Sequence, residues 1–521
     1  MFLRNGCPGL FLGVFIRQKK NKSGSISVQI ISKVGGRYKV EKTVGSSDRE
    51  DQIKNLVQKA ELDVISMVGQ SSLFNSEQDV QLENYLDTIE NMQIRTIGPE
   101  LIFGKIYDAI GYNAIKEDLF RQLVIARLAF PLSKLKTIEY IYRYQGVTIG
   151  LDQVYRFLDK LNDTLKEQVE QISYQHTLKT LEGEIGIVFY DMTTLYFESN
   201  EEDDFRMSGF SKDGKHHLPQ IYLGLLVGLG GYPIGYDLFE GKIFEGDTLI
   251  PVIDKLTKKF NLAKPIIVAD AGLLTKANID TLAGLGYSYI IGARAKSEKN
   301  IIKNEILSLK LNDGETRIIH KMDGNRLIIS YSEKRAKKDE HNRKRGLSRL
   351  EKQVKSGKLT KQNINNKGYN KYLRMKGKVD IEIDYDKYNA DKQWDGLKGY
   401  ITNTTISPSI ILEQYKNLWH IEKAFRMSKT DLRIRPIYHR LKRRIEAHIC
   451  LSFAAYSIYK ELERILNKNH SSISIVQAAE LTHTMYQLKI SLPESKKNKL
   501  ITLKMDPLQK ELSSIVESNY A

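Results

Sequence analysis

At residue 184 the hydrophobic pattern of this chain changes period. Residues 98–180 repeat as helices do: Pro99-Glu100 opens one, LFRQLVIARLAF carries the next to Pro131, Ser133 caps a third through Tyr144, and LDQVYRFLDKL resumes after the turn QGVTIG. From 184 the runs are short and rich in β-branched and aromatic residues. EIGIVFYDMTTLYF, QIYLGLLVGL and GYPIGYDLF read as three strands, the last two joined at Gly230-Gly231. A helix from Asp247 to about Phe260, the short strand PIIVAD, a helix over Leu274 to Leu285 and the strand YSYIIGA follow. Strands in a meander that then alternate with helices predict a mixed α/β sheet flanked by helices.

The rest of the chain divides around that core. Residues 1–70 predict a β-hairpin unit, with strands near 9–17 and 25–33 and a helix over Asp48 to Met67. The apolar N-terminal stretch is followed at once by Arg17 and has no small-residue cleavage site, so it reads as a strand and not as a signal peptide. Residues 75–180 form a helical region; the glycine turn between its later helices suits either a plain bundle or a helix-turn-helix reader of DNA. The α/β core spans 181–296 and resumes over 401–482, around a basic, β-containing insertion at 297–400. Long helices are expected from Ser409 to about Ser428 and from about Leu441 to Ile465. Residues 483–521 read as a polar tail.

Charge narrows the partner. Lys plus Arg is 80 against 63 Asp plus Glu, a net +17. The span 331–378 carries +13 and the span 429–444 carries +6, so these two segments hold the whole excess. A charge run alone is as readily a solvated face, but two in an otherwise balanced chain favour a polyanion, most simply nucleic acid. No apolar run approaches the roughly 18–20 residues of a spanning helix. Two cysteines, Cys7 and Cys450, exclude a disulfide framework and any zinc site of several thiolates, and fit a reducing cytoplasm.

Three carboxylates stand where apolar residues are expected. Asp191 interrupts IVFYDMTTLYF, Asp270 ends PIIVAD, and Glu422 lies among Leu418, Trp419 and Phe425 on a helix. An unpaired buried carboxylate is costly, so each needs a partner. Asp191 could lie on an edge strand, Asp270 could cap the next helix, and Glu422 could pair with Lys423 or Arg426. Together they offer hard oxygen ligands for Mg²⁺ or Mn²⁺, and two such ions serve phosphodiester displacement. Tyr415, Glu422 and Lys429 are spaced by seven, so they lie along one line of the helix, with Leu418 and Arg426 beside it. Trp419 reads as core, Trp394 as a brace at the exit of the insertion, and Lys215-His216-His217 as an exposed turn. His439 and His448 lack zinc spacing.

The segments YDMTTLYFE, VADAGLLTKANI and YKNLWHIEKAFRMSKTDLRIRPIYH resemble the three signature regions of DDE transposases of bacterial insertion sequences. The third is similar to that family's Tyr-x2-Arg-x3-Glu-x6-Lys signature, with Leu418 at the Arg position and Arg426 one helical turn past the Glu. The resemblance implies a ribonuclease-H-like core interrupted before Glu422, with Asp191, Asp270 and Glu422 as ligands of two Mg²⁺ (or Mn²⁺) ions. It implies Tyr415, Arg426 and Lys429 as phosphate contacts, double-stranded DNA (terminal inverted repeats and target) as partner, and a homodimer in the DNA complex. A transposase acting in the cytoplasm, on nucleoid DNA, is the leading expectation. A two-metal nuclease that never joins strands, and a DNA-binding regulator with structural carboxylates, stand beside it.

Overall fold

The computed structural model describes residues 14–34, 37–70, 85–87, 89–199, 201–211, 214–273, 275–357, 359–365, 368–376, 380–492, 495 and 497–520. It divides into two compact units, Met1–Asn91 and Met92–Ala521. In the first, β1 (Val14–Lys20), β2 (Ile26–Val34) and β3 (Arg37–Ser47) form an antiparallel sheet in that order. Gly24 turns β1 into β2 at φ 86°, a value that favours glycine. Helix α1 (Glu50–Gln70) packs on this sheet, closing a small core of Val28, Ile30 and Ala60. Of the strand expected near 9–17, residues 9–13 lie outside the described residues, as does most of the polar stretch that follows α1.

The second unit starts with β4 (Ile94–Thr96) and a helical wall: α2 (Lys105–Ile110), α3 (Asp118–Ala129), α4 (Lys134–Tyr140), α5 (Leu151–Lys160) and α6 (Lys166–Thr180). Ser133 caps α4 by accepting from the Lys136 amide. The sheet follows as β5 (Ile187–Tyr196), β6 (Gln220–Gly228) and β7 (Pro233–Glu240), then α7 (Leu249–Phe260), β8 (Ile266–Ala269), α8 (Lys276–Gly284) and β9 (Tyr289–Ala293). Strands β7, β6 and β5 run as an antiparallel meander, and β8 and β9 add parallel to β5 on its other side. That order, β7-β6-β5-β8-β9, is the ribonuclease-H-like arrangement.

The segment expected as an insertion does not stand apart from this sheet. It supplies α9 (Asn300–Ser308), β10 (Thr316–His320), β11 (Arg326–Tyr331), α10 (Glu333–Lys355), the β12–β13 hairpin (Leu373–Lys376, Asp380–Ile383) and α11 (Tyr385–Lys392). Strand β14 (Leu397–Thr402) pairs antiparallel with β9, and β11 and β10 continue outward, so one sheet has eight strands. The basic α10 has a small core of its own, Leu350 against Tyr372, Leu373 and Ile383.

The chain then forms α12 (Pro408–Lys416), α13 (Trp419–Arg426) and the 27-residue α14 (Lys442–Lys468). Helix α14 is buried along most of its length between the sheet and the helical wall, and residues of all three share one core. The last segment, read from its polarity as a tail, is ordered structure: α15 (Ile475–Thr482), β15 (Tyr486–Ser491), β16 (Asn498–Thr502) and α16 (Pro507–Asn519). Strand β15 lies between β16 and β4, and α16 buries Leu512, Ile515 and Val516. Its apolar residues are few but fall on one helix face, which a composition reading averages away.

Candidate active site

Strand alternation builds the site. Residues Tyr190 of β5 and Ala269 of β8 are paired, so Asp191 and Asp270 follow side by side on neighbouring parallel strands. Such strands lie about 4.8 Å apart. The next places in the same row are Gly292 of β9 and Tyr400 of β14, which pair with each other. Phe189 and Val268, two residues before the aspartates, belong to the core beneath α12 and α13, whereas Tyr190 and Ala269 face the other side. Period-two alternation therefore turns both aspartates towards the face that carries Glu422.

Helix α13 lies against β5 and β6 on that face. Its Ile421, Ala424 and Phe425 are buried, which leaves Glu422 exposed. Neither Glu422 nor Arg426 closes an ion pair among the described residues, and Lys423 pairs with Glu463. Asp191 is half-buried on a strand flanked on both sides, so it is no edge residue; its Oδ1 accepts from the Met192 amide at 2.7 Å. Asp270 is no helix cap either. Thr275 caps α8, and Asp270 Oδ1 accepts a 2.7 Å hydrogen bond from the Tyr415 hydroxyl.

The line expected for Tyr415, Glu422 and Lys429 is broken twice. The helix tightens at Asn417–Leu418, where Leu418 and Ile421 amides bond three residues back, and a wide π turn occupies Met427–Asp431. Tyr415 is consequently buried against Tyr400, with ring centroids 4.8 Å apart, while Glu422 and Arg426 are exposed and Lys429 is half-buried in the π turn. Gly292 makes the room, because a Cβ there would lie 2.4 Å from the Tyr415 hydroxyl. Burial first, then the bond to Asp270, push the Tyr415 phenol up, so it stays a hydrogen-bond donor. Leu418, in the place of the signature's Arg, is part of the core.

Sequence reasoning missed Lys398. It lies on β14 two residues before Tyr400, on the same face, and its ammonium stands 4.3 Å from the Tyr415 ring centroid. Burial, with Arg335 adding to it, holds Lys398 below the ordinary lysine range against the pull of Asp270 and Glu422. One basic side chain thus feels two of the three carboxylates. Arg335 brings the N-terminal end of α10 into the field of Lys398, Tyr400 and Tyr415. Trp419, expected in the core, is 49% exposed and lies against His420 and Lys423. Trp394 packs in the small core under β10 and β11.

Three carboxylates on one face suit a hard divalent cation by donor chemistry. Among the described residues no three His, Cys, Asp or Glu side chains are drawn together into a ligand shell. The Tyr415 hydroxyl occupies one oxygen of Asp270, which leaves its second oxygen for a ligand role.

An eight-stranded mixed sheet carries one acid inside a central strand, a second just past the end of its parallel neighbour and a third on the covering helix, and such hard oxygen donors suit phosphoryl-transfer chemistry. The chain belongs to the DDE transposase family, whose transposase DDE domain matches residues 182–458. Members of this family are DNA-cleaving and strand-transferring enzymes that use divalent metal ions, and this chain is a DNA transposase. Among solved structures, it is similar to the piggyBac transposase in a synaptic complex with hairpin DNA, at 9% identity over 74% of this chain and 78% of that one, TM-score 0.38. It also overlaps the Mos1 transposase paired-end complex with the left transposon end, at 14% identity over 33% and 57%, TM-score 0.15. Both superpositions are too loose to bear on the site. No curated protein matches the chain significantly. Among the described residues no helix is long and apolar enough to cross a membrane.

Proposed function

We propose that Asp191, Asp270 and Glu422 hold two divalent cations, Mg²⁺ or Mn²⁺, and that the chain uses them to cut the ends of a DNA element and join the freed 3′ ends to target DNA. The observation that carries this reading is the shared row of Asp191 and Asp270 on the face covered by the helix of Glu422. Bound there, the cations would withdraw charge from the scissile phosphodiester and favour the attacking oxygen. Tyr415 fixes one oxygen of Asp270 and so orients the other. Arg426, exposed one turn past Glu422, and Lys429 in the next turn hold phosphates beside the cut. The exposed Lys334, Arg335 and Lys338 of α10 extend that contact along a duplex. The partners are double-stranded DNA, as terminal inverted repeats and as target, and a second copy of the chain in the complex, acting on DNA in the cytoplasm.

The test is chemical. Asp191→Asn and Asp270→Asn each remove a ligand and little volume. Both should bind a duplex as the parent does and lose at least about 10³-fold in divalent-dependent cleavage, about 4 kcal/mol of barrier. A variant that keeps more than a tenth of parental cleavage would remove its residue from the ligand set. A labelled duplex that is nicked but never joined would leave a nuclease in place of a transposase.

A further inference from the structure

A second charged site lies off the end of β5. There a cavity of about 370 Å³ is bounded by Arg127, Lys134, Tyr155, Arg433, Arg435 and His439, with His448 at its wall. Among the described residues its lining contains no Asp or Glu. Arg127 is 6% exposed and, among the described residues, hydrogen-bonds to carbonyls, those of Leu432 at 3.3 Å and Arg433 at 3.4 Å. Lys134 is 8% exposed, and no carboxylate pairs with it among the described residues. His439 and His448 are buried with their rings 5.6 Å apart; His448 Nε2 lies 2.9 Å from the Ile434 carbonyl, and its Nδ1 is buried without a partner.

Burying cations without a counter-charge is costly, and a fold keeps such a group where something else supplies the charge. We propose that this cavity is a phosphate site that takes a backbone phosphate of the DNA duplex several base pairs from the cut. Its place on the fold supports the source. The Arg435 guanidinium lies 5.4 Å from the ring centroid of Tyr196, and Ile437 bridges to Phe197, so the segment continues beside β5 where β8 leaves it at Asp270. Tyr196 is five residues beyond Asp191, about 17 Å along a strand. A duplex rising about 3.4 Å per base pair covers that in about five steps. Arginine forks and a lysine ammonium match phosphate oxygens in charge and geometry. Burial, with Arg127 adding to it, holds Lys134 well below the ordinary lysine range, and an anion in the cavity would oppose that shift.

The identity of the anion as DNA rests on the transposase reading; the site itself does not. The full chain is tested as Lys134→Met, which keeps the buried stem, and as Arg433→Gln, which is exposed and tolerates exchange. Each should bind a 30-base-pair duplex less tightly and shallow the log–log salt dependence by about 0.9. Single-turnover cleavage of the bound duplex should stay within about twofold of the parent, opposite to the aspartate variants. Lys134→Met should melt no lower than the parent without DNA; a lower melt with an unchanged salt slope would make Lys134 structural and overturn the proposal. An unchanged slope in Arg433→Gln would overturn it as well. Inorganic phosphate provides the second arm: if phosphate raises the parental melt but not that of Lys134→Met, while duplex binding is the same in both, the site serves a free anion and the DNA assignment fails.

Discussion

The carboxylate row and the cationic cavity sit some five residues apart along β5 and solve opposite problems. In the row, acids are half-buried or exposed, and each neighbour is set to use them: Tyr415 bonds Asp270, and Lys398 stands over the Tyr415 ring within reach of Asp270 and Glu422. In the cavity, Arg127 and Lys134 are buried, and Arg127 donates to the carbonyls of Leu432 and Arg433. On the reading proposed above, the row would take cations and the cavity an anion. A cation-assisted cut in a polyanion needs both, and the sheet separates them so that they do not neutralise each other.

Gly292→Ala should disturb the row most among the changes that leave its acids in place. The new methyl meets the Tyr415 hydroxyl at 2.4 Å, so the phenol must leave Asp270 or the helix must shift. A loss of about 1–3 kcal/mol in a denaturant melt, with cleavage lowered, is expected; parental stability and cleavage together would show that Tyr415 has other room. Tyr415→Phe keeps the ring against Tyr400 and removes one hydrogen bond. Cleavage should fall about five- to tenfold, near 1 kcal/mol, with duplex binding unchanged. If binding falls and the cleavage of bound duplex does not, Tyr415 is a phosphate contact and no positioning residue.

The cavity is probed by acid. Burial first, then Lys134, Arg127 and Arg444, bring His439 down to about 3. The unfolded chain therefore binds the extra proton between about pH 6.5 and 3, and stability falls as pH drops through that window, by at most about 1.4 kcal/mol per unit. His439→Gln should narrow the difference between melts at pH 7 and pH 5, and an unaltered difference would mean the ring is not held neutral by its basic neighbours. The smallest effect is expected along α10. Neutralising Lys334, Arg335 and Lys338 on α10 should shallow the salt slope of duplex binding by about 0.9 for each phosphate released. No change would return that helix to an ordinary solvated face.

Much of the row was legible because it breaks local rules. A lone aspartate inside IVFYDMTTLYF and another closing PIIVAD are visible to anyone counting apolar residues, and strand periodicity puts them on one face. Tyr415 was seen but turned the wrong way, since spacing by seven presumes an unbroken helix and cannot register the tightened turn at Asn417–Leu418. Lys398 was hidden in a strand whose partners come from β9 and β11, a non-local pairing that no window of sequence contains. Trp419 illustrates the same gap, because which side of α13 meets the sheet is decided by Ile421 and Phe425. The cavity left a fainter trace: Arg127 inside LVIARLAF is as anomalous as Asp191, but its companions Lys134, Arg433 and His448 come from distant segments.

The pairing of β14 with β9 has a consequence in time. Asp270 and Glu422 are 152 residues apart in the chain, although the sheet brings their elements together. At about 5–20 residues per second, a ribosome needs roughly 8–30 seconds to get from one to the other. Throughout that interval the nascent protein carries both aspartates without Glu422, so the carboxylate set proposed for the cations cannot be complete.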